Sequence, residues 1–385
     1  MDISYIINQL GEERDNYFNA VTPPIMQSTN FCAKSVQDLR KVLLNEYETP
    51  FYTRGYNPTV GILRKKIAAL EGAEDALVFG SGTAAMAAAI MSVAKAGDHV
   101  VCVKKPYSWT NALLNNYLVK YGVSTTMVDG TETKNFENAI RENTKLIYLE
   151  SPNSLTFELQ DIEAISKIAK QKNITTILDN SYSSPLQQSP IKMGIDLVIH
   201  SASKYLNGHS DVVAGVVCGS SERIKKMFGE EFMNIGGIIS PHDAWLMIRG
   251  LRTLEIRVNR TSESTAQVVE FLENHPKIEK IFYPFSKNNP QLALAKKQMK
   301  KATGLFSVQI KTKNSSDIDT FCDSLKHFLM ATSWGGYESL VFPICAMPKA
   351  KAGELPFNLV RIYIGLEDPN LLISDLKQAL EKVKG

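Results

Sequence analysis

Within residues 196–217, reading DLVIHSASKYLNGHSDVVAGVV, one amine stands among hydroxyls. Ser201, Ser203 and Lys204 crowd together, and Gly208, His209, Ser210 and Asp211 follow. Apolar runs at 197–199 and 212–217 flank the segment and read as short buried strands. A lysine between two buried strands does not keep a freely solvated stem. Such a setting lowers the pKa of its ammonium and makes the nitrogen nucleophilic. The chemistry that most often uses such a lysine is a Schiff base with a carbonyl, the aldehyde of pyridoxal phosphate included. On an exposed loop the same lysine would be inert, so the rest of the chain must decide.

Gly80-Ser81-Gly82-Thr83 lies between an apolar run at 76–79 and a helical window at 83–95. Free N–H groups at a helix N-terminus suit a phosphate, and glycine lets the backbone approach closely. The spacing Gly80-x-Gly82-x-x-Ala85 also fits a loose dinucleotide fingerprint. That fingerprint wants an acidic residue roughly 20 positions on, whereas the next strand ends in Lys104-Lys105. A tight turn and a simple phosphate cradle both stay open.

Asp179 ends the run 174–178, where ligands sit in open α/β sheets. A carboxylate there could hold a pyridinium nitrogen protonated, or simply cap a turn. Tyr52 and Arg54 stand two apart, on one side of an extended backbone, and phenol with guanidinium suits a phosphate. Tyr107 follows Pro106 in a loop, able to stack on a planar ring or to pack. Arg361 interrupts the apolar run 359–364. It wants a bidentate carboxylate, either a substrate's or an internal one. Ser333-Trp334-Gly335-Gly336 is a second glycine-flanked turn. The six histidines show no HExxH spacing, so no metal site is expected.

The elements that must carry these groups alternate. Strands are expected at 76–79, 99–103, 123–128, 146–149, 175–178 and 197–199, with helices at 83–95, 109–120 and 161–171 between them. Asn57-Pro58 reads as a helix start and Gly72 as its stop. The pattern predicts an α/β fold with a mostly parallel sheet. The texture changes near Pro241. A long helical pattern runs to about residue 274, followed by strands at 278–282, 305–310 and 359–364 and helices at 317–325 and 371–383. The expected organisation is an arm over 1–50, a larger unit over 51–240 and a smaller α+β unit over 241–385.

Composition narrows the partners. The chain has 385 residues with 43 basic and 40 acidic side chains, a balance that points to neither nucleic acid nor an anionic membrane. The uncharged run 76–94 is rich in Ala, Ser and Gly and is broken by Gly80-Ser81-Gly82, so it reads as strand, turn and buried helix rather than a membrane span. Five scattered cysteines without a CxxC fit a reducing cytoplasm. The start, MDISYIINQLGEERD, lacks the basic and apolar regions of a signal peptide.

Taken together, the chain resembles the cysteine and methionine metabolism group of pyridoxal-phosphate enzymes, the trans-sulfuration lyases and synthases. The likeness rests on Tyr52-Thr53-Arg54, Asn57-Pro58-Thr59, Leu70-Glu71-Gly72, Ser81-Gly82-Thr83, Asp179-Asn180 and Ser201-Ala202-Ser203-Lys204-Tyr205. It continues through Gly208-His209-Ser210-Asp211, Gly250-Leu251-Arg252-Thr253-Leu254, Arg361 and Ile364-Gly365-Leu366-Glu367-Asp368. The resemblance implies the aspartate aminotransferase-like fold, type I, with a seven-stranded sheet. It implies pyridoxal 5'-phosphate joined to Lys204, Asp179 on the ring nitrogen and Tyr107 stacked on the ring. Gly82, Thr83, Ser201 and Ser203 would hold the phosphate. Tyr52 and Arg54 would hold it from a neighbouring subunit, which makes a dimer obligatory and usually doubles it to a tetramer. Arg361 and Ser333 would bind the carboxylate of a small sulfur amino acid.

Within that group, Ser151-Pro152-Asn153-Ser154-Leu155-Thr156-Phe157-Glu158 and Ser333-Trp334-Gly335-Gly336-Tyr337-Glu338-Ser339-Leu340 look like the cystathionine β-lyase branch. Ser154 falls where a commoner asparagine would touch the cofactor's ring hydroxyl, and Trp334 joins the substrate residues. The cystathionine γ-enzymes resemble one another in a glutamate just before the Ser333 position, and often a second acid before the Tyr52 position. Here Thr332 and Phe51 stand there, and Trp109 fills a place that is usually small or, in methionine γ-lyases, cysteine. Methionine γ-lyases lack the glutamate too, so its absence speaks only against the cystathionine γ-enzymes. β-Elimination on cystathionine or cysteine conjugates is the expected activity. A γ-enzyme of the same group, or a cofactor-binding regulatory protein with little turnover, are the alternatives.

Overall fold

Strands β1 (Asp75–Phe79), β2 (His99–Val103), β3 (Ser124–Val128), β4 (Thr144–Glu150), β5 (Thr175–Asp179), β6 (Leu197–Ser201) and β7 (Gly215–Gly219) form one sheet of order β1-β7-β6-β5-β4-β2-β3. The computed structural model describes residues 1–348 and 355–384. β7 runs antiparallel to both neighbours and the other pairs are parallel, as the apolar runs predict. Successive residues of β2 enter opposite cores. Val100 and Cys102 join Met86, Ala89 and Ile90 of the helix Gly82–Met91, while Val101 and Val103 join Ile162, Ile165 and Ala169 of the helix Ile162–Gln171. Both faces are covered, which is why these strands lack a polar alternation. Each buried Val, Leu or Ile contributes roughly 1.5–3 kcal/mol.

The helix Pro58–Glu71 begins and ends as the sequence predicts. The Asn57 side chain accepts from the Thr59 amide at 3.0 Å, and Gly72 takes a left-handed φ of 75°. The first residues are pinned to that helix. Buried Lys66 donates to the carbonyls of Ile6 and Ile7 and pairs with the buried Glu12 carboxylate at 3.0 Å, which also meets Arg252 at 3.1 Å.

A second sheet has the order β10-β11-β12-β9-β8, from β8 (Ile278–Phe282), β9 (Leu305–Ile310), β10 (Leu329–Met330), β11 (Leu340–Pro343) and β12 (Leu359–Tyr363). The helices Leu254–Glu273, Ser315–Ser324 and Pro369–Glu381 cover it through Val268, Leu272, Ile318, Phe321, Leu372 and Leu376. Among the described residues no helix is long and apolar enough to cross a membrane.

Three expected elements differ from what forms. The helix expected over 109–120 is an α turn (Ser108–Ala112), a π segment (Leu113–Tyr117) and a 3-10 turn (Leu118–Tyr121). Thr110, Asn111, Asn115, Asn116 and Tyr117 are weak helix formers, so the apolar spacing alone does not hold a regular helix. The long helix expected from Pro241 breaks between Pro241–Leu251 and Leu254–Glu273. There the Arg257 guanidinium donates to the Gly250 carbonyl at 2.8 Å, and the Thr253 hydroxyl does so at 3.2 Å. The strand expected from Val212 begins only at Gly215, because the Ser203 amide donates to the Ala214 carbonyl at 3.2 Å and the Ser203 hydroxyl accepts from the Ala214 amide at 2.9 Å.

Candidate active site

The carboxyl ends of β4, β5 and β6 bring Glu150, Asp179 and Ser201 to one edge, and the loop after β2 delivers Tyr107 beside them. Lys204 follows β6 in a tight turn, its amide donating to the Ser201 carbonyl at 3.1 Å. Its ammonium reaches across to the second sheet's side of the molecule. Lys204 Nζ donates to the Ser333 hydroxyl at 2.6 Å and lies 5.7 Å from the centre of the Trp334 ring. Trp334 in turn packs on Tyr205, with ring centres 5.4 Å apart.

The turn that supplies Ser333 is held close. Ser333 has a left-handed φ of 79°, an arrangement that costs a non-glycine residue energy and gathers at functional sites. Gly335, with φ of 86°, lies so near the lysine's backbone that a Cβ would stand 2.7 Å from the Tyr205 amide nitrogen and 2.9 Å from Lys204 Cα. Burial first, then the Arg361 charge, bring the Lys204 pKa down to about 8 against the opposing pull of Asp179.

Arg361 sits in the middle of β12, opposite Ser307 and Phe342. Among the described residues no carboxylate pairs with it, and burial brings its pKa to about 10. Its guanidinium carbon lies 5.4 Å from the Phe342 ring centre. A cation left this way, next to a nucleophilic amine, fits a substrate carboxylate better than an internal salt bridge.

Gly82 begins its helix after Ser81, whose hydroxyl accepts from the Ala84 amide at 3.0 Å. The amides of Gly82 and Thr83 are the orphan donors of the first turn. A Cβ on Gly82 would stand 2.9 Å from the Ser201 hydroxyl, so only glycine leaves room there. The Ser203 hydroxyl, by contrast, is engaged by the Ala214 backbone. Burial raises the Tyr107 phenol, and the Thr83 hydroxyl beside it works the other way. Burial also raises the Asp179 carboxyl against the opposing effect of its Ser181 hydrogen bonds and of the His200 and Lys204 charges. The Ser181 amide donates to Asp179 at 2.9 Å.

Ser154 turns to the Glu150 carboxyl, not to Lys204. Tyr52 and Arg54 are exposed, with the guanidinium carbon 5.1 Å from the phenol's ring centre, and touch none of the groups around Lys204.

Residues 5–381 match the family described as Cys/Met metabolism PLP-dependent enzyme. The chain belongs to this family. It is 38% identical over 379 residues to an L-methionine gamma-lyase of Treponema denticola, covering 96% of this chain and 94% of the relative. It is 35% identical over 379 residues to a cystathionine beta-lyase of Lactococcus lactis subsp. cremoris, covering 97% of each. The crystal structure of metB from Corynebacterium glutamicum superposes with a TM-score of 0.93 at 36% identity, covering 99% of this chain and 98% of that one. The fold is therefore that of type I pyridoxal-phosphate enzymes. The cofactor is pyridoxal 5'-phosphate, and the chain is a carbon–sulfur lyase.

The residues present fit that cofactor. A lysine brought near neutrality, a buried carboxyl at a strand end and a glycine whose missing Cβ opens a helix N-terminus meet at one edge. One group was not singled out from the sequence. Glu150 ends β4 after the apolar residues 146–149, as Asp179 ends β5, and the two are register partners. An acid closing an apolar run at the end of a parallel strand was the signal.

Proposed function

We propose that this enzyme is a β-eliminating lyase acting on cystathionine or cysteine conjugates, giving pyruvate, ammonia and a thiol. The observation that carries the reading is the charge around Lys204. The charged groups acting on its amine are Arg361 and Asp179, and the residue beside Ser333 is the uncharged Thr332. A substrate's distal ammonium would find no carboxylate on the residues that flank Ser333; Glu338, further along the same segment, accepts from the Ser210 hydroxyl at 2.6 Å. Trp109, exposed and two residues after Tyr107, would narrow that side of the pocket.

When bound, the cofactor supplies an electron sink that makes the substrate's α-proton acidic. Lys204 accepts that proton and returns it later, with the Ser333 hydroxyl steadying the amine between steps. Arg361 pairs with the α-carboxylate and fixes which face meets Lys204. The first-turn amides of Gly82 and Thr83 and the Ser201 hydroxyl would hold the phosphate, Asp179 would keep the ring nitrogen protonated, and Tyr107 would cover one ring face.

The second reading is γ-elimination, favoured by the 38% identity to the Treponema denticola methionine γ-lyase. The products separate the two. Cystathionine is expected to yield pyruvate, ammonia and homocysteine; chromatography showing mainly 2-oxobutyrate with cysteine would assign the γ-branch instead.

Tyr52 and Arg54, exposed together and without an acidic partner among the described residues, suit a neighbour's phosphate. The working unit on this reading is at least a dimer, doubled to a tetramer. Each subunit is organised as an arm over 1–50, a cofactor-binding unit over 51–240 and a second unit over 241–385. Five free cysteines agree with a reducing cytoplasm. Arg54→Ala should weaken cofactor retention by about 10-fold or more, since a charge-assisted hydrogen bond contributes about 1.5–3 kcal/mol. A cofactor-saturated, active monomer in sedimentation would refute the shared site.

A further inference from the structure

The Glu150 carboxyl touches two loops of the site at once. Its Oε2 accepts from the Tyr107 amide at 2.6 Å, and its Oε1 meets the Ser154 hydroxyl. Its Cα faces that of Asp179 across the β4–β5 ladder. The side chain is buried, and among the described residues no Lys, Arg or His pairs with it. The titratable groups facing it are Asp179 on β5, Tyr148 on its own strand, Cys102 on β2 and the Tyr107 phenol. None of these supplies a positive charge.

We propose that Glu150 is a positioning residue that works as a neutral carboxyl, holding the Tyr107 backbone in place against the cofactor ring and tying it to the Ser154 loop. A neutral carboxyl has one donor and keeps acceptor capacity. Tyr107 occupies Oε2 as a donor, so the proton belongs on Oε1; the Ser154 hydroxyl, a donor to the ionised carboxylate, turns to accept it. That leaves a single formal charge, on Asp179, at the strand ends. Two ionised carboxyls side by side would repel, and burial would penalise both; the Lys204 charge favours ionisation at Asp179, whereas among the described residues no cation faces Glu150. Burial, then the Asp179 charge, raise Glu150 to about 8 against the hydrogen bonds from the Ser154 hydroxyl and the Tyr107 and Ser154 amides, in line with a proton held at neutral pH.

This rests on Tyr107 belonging to the cofactor site, and Tyr107→Ala tests that separately. Cofactor-free protein is titrated with pyridoxal phosphate and followed by absorbance at pH 7 and pH 9, for wild type, Glu150→Gln, Glu150→Ala and Tyr107→Ala. Glutamine keeps both an acceptor and a donor but cannot ionise. At pH 7 it should bind within about threefold of wild type, whereas Glu150→Ala, which frees the Tyr107 amide, should bind at least about 10-fold more weakly. All four proteins share the Lys204 titration, so the ratio of wild type to Glu150→Gln isolates Glu150. That ratio should shift by about threefold or more between the two pH values, because only the wild type ionises. Three results overturn the proposal: glutamine as damaging as alanine at pH 7, alanine equal to wild type, or a ratio flat with pH. If Glu150→Ala binds weakly but Tyr107→Ala binds normally, the role of Tyr107 falls, and the proposal with it. If Tyr107→Ala binds weakly and any of the three results appears, the site stands and only the role of Glu150 fails.

Discussion

A Lys204→Ala protein should fold, still take up the cofactor's phosphate end, and lose turnover by about 10³-fold or more, because it lacks both the attaching amine and the base at the α-carbon. The amine it removes has a measurable signature in the wild type. Burial brings the lysine to about 8, and Arg361 reinforces the shift. Only the neutral amine attacks an aldehyde. Attachment of pyridoxal phosphate to the cofactor-free wild type should therefore speed up as pH rises through about 8 and level off above it. Stopped-flow absorbance reads this directly. A midpoint near the ordinary lysine value of 10.5 would mean that the amine is not desolvated, and near-normal activity in Lys204→Ala would end the assignment.

Arg361→Leu should separate two roles that look alike in the sequence. An internal salt bridge and a substrate-binding cation both place an arginine in an apolar strand. In the fold the guanidinium is buried enough to be brought to about 10, and no carboxylate answers it among the described residues. Removing it should lower kcat/KM by about 10- to 100-fold, chiefly through KM, from a charge-assisted pair of about 1.5–3 kcal/mol. The thermal midpoint should stay level or rise, since a half-buried cation without a partner carries a desolvation penalty that leucine does not. A structural salt bridge would show the reverse, a marked loss of stability with KM unchanged.

Much of this was legible because the physics is local. Strands covered on both faces appear as apolar runs, and the chemistry falls where such runs end, at Asp179, Ser201 and Lys204. Asn57, Pro58 and Gly72 mark a helix by capping alone. Other features depend on distant partners and left no local trace. The chain breaks after Leu251 because Arg257 and Thr253 take the Gly250 carbonyl. Val212 stays out of β7 because Ser203 takes both backbone groups of Ala214. Short β10 and β11 owe their existence to pairing with each other and with β12, not to their own few residues. Ser154 shows the same limit. Its motif indicates a family branch, but only the fold reveals that its hydroxyl is committed to Glu150.

The turn at Ser333–Gly336 carries a lesson for anyone redesigning the pocket. Ser333 and Trp334 are natural choices for changing which side chain is accepted, yet Gly335, the next residue, and the Lys204 backbone are in contact without room for a methyl group. A library spread over these positions varies pocket shape and the setting of the lysine together, so gains in selectivity there will tend to arrive with losses in rate. Trp109, exposed in the short helix that starts just after Tyr107, would offer a dial for selectivity that leaves the lysine's footing alone.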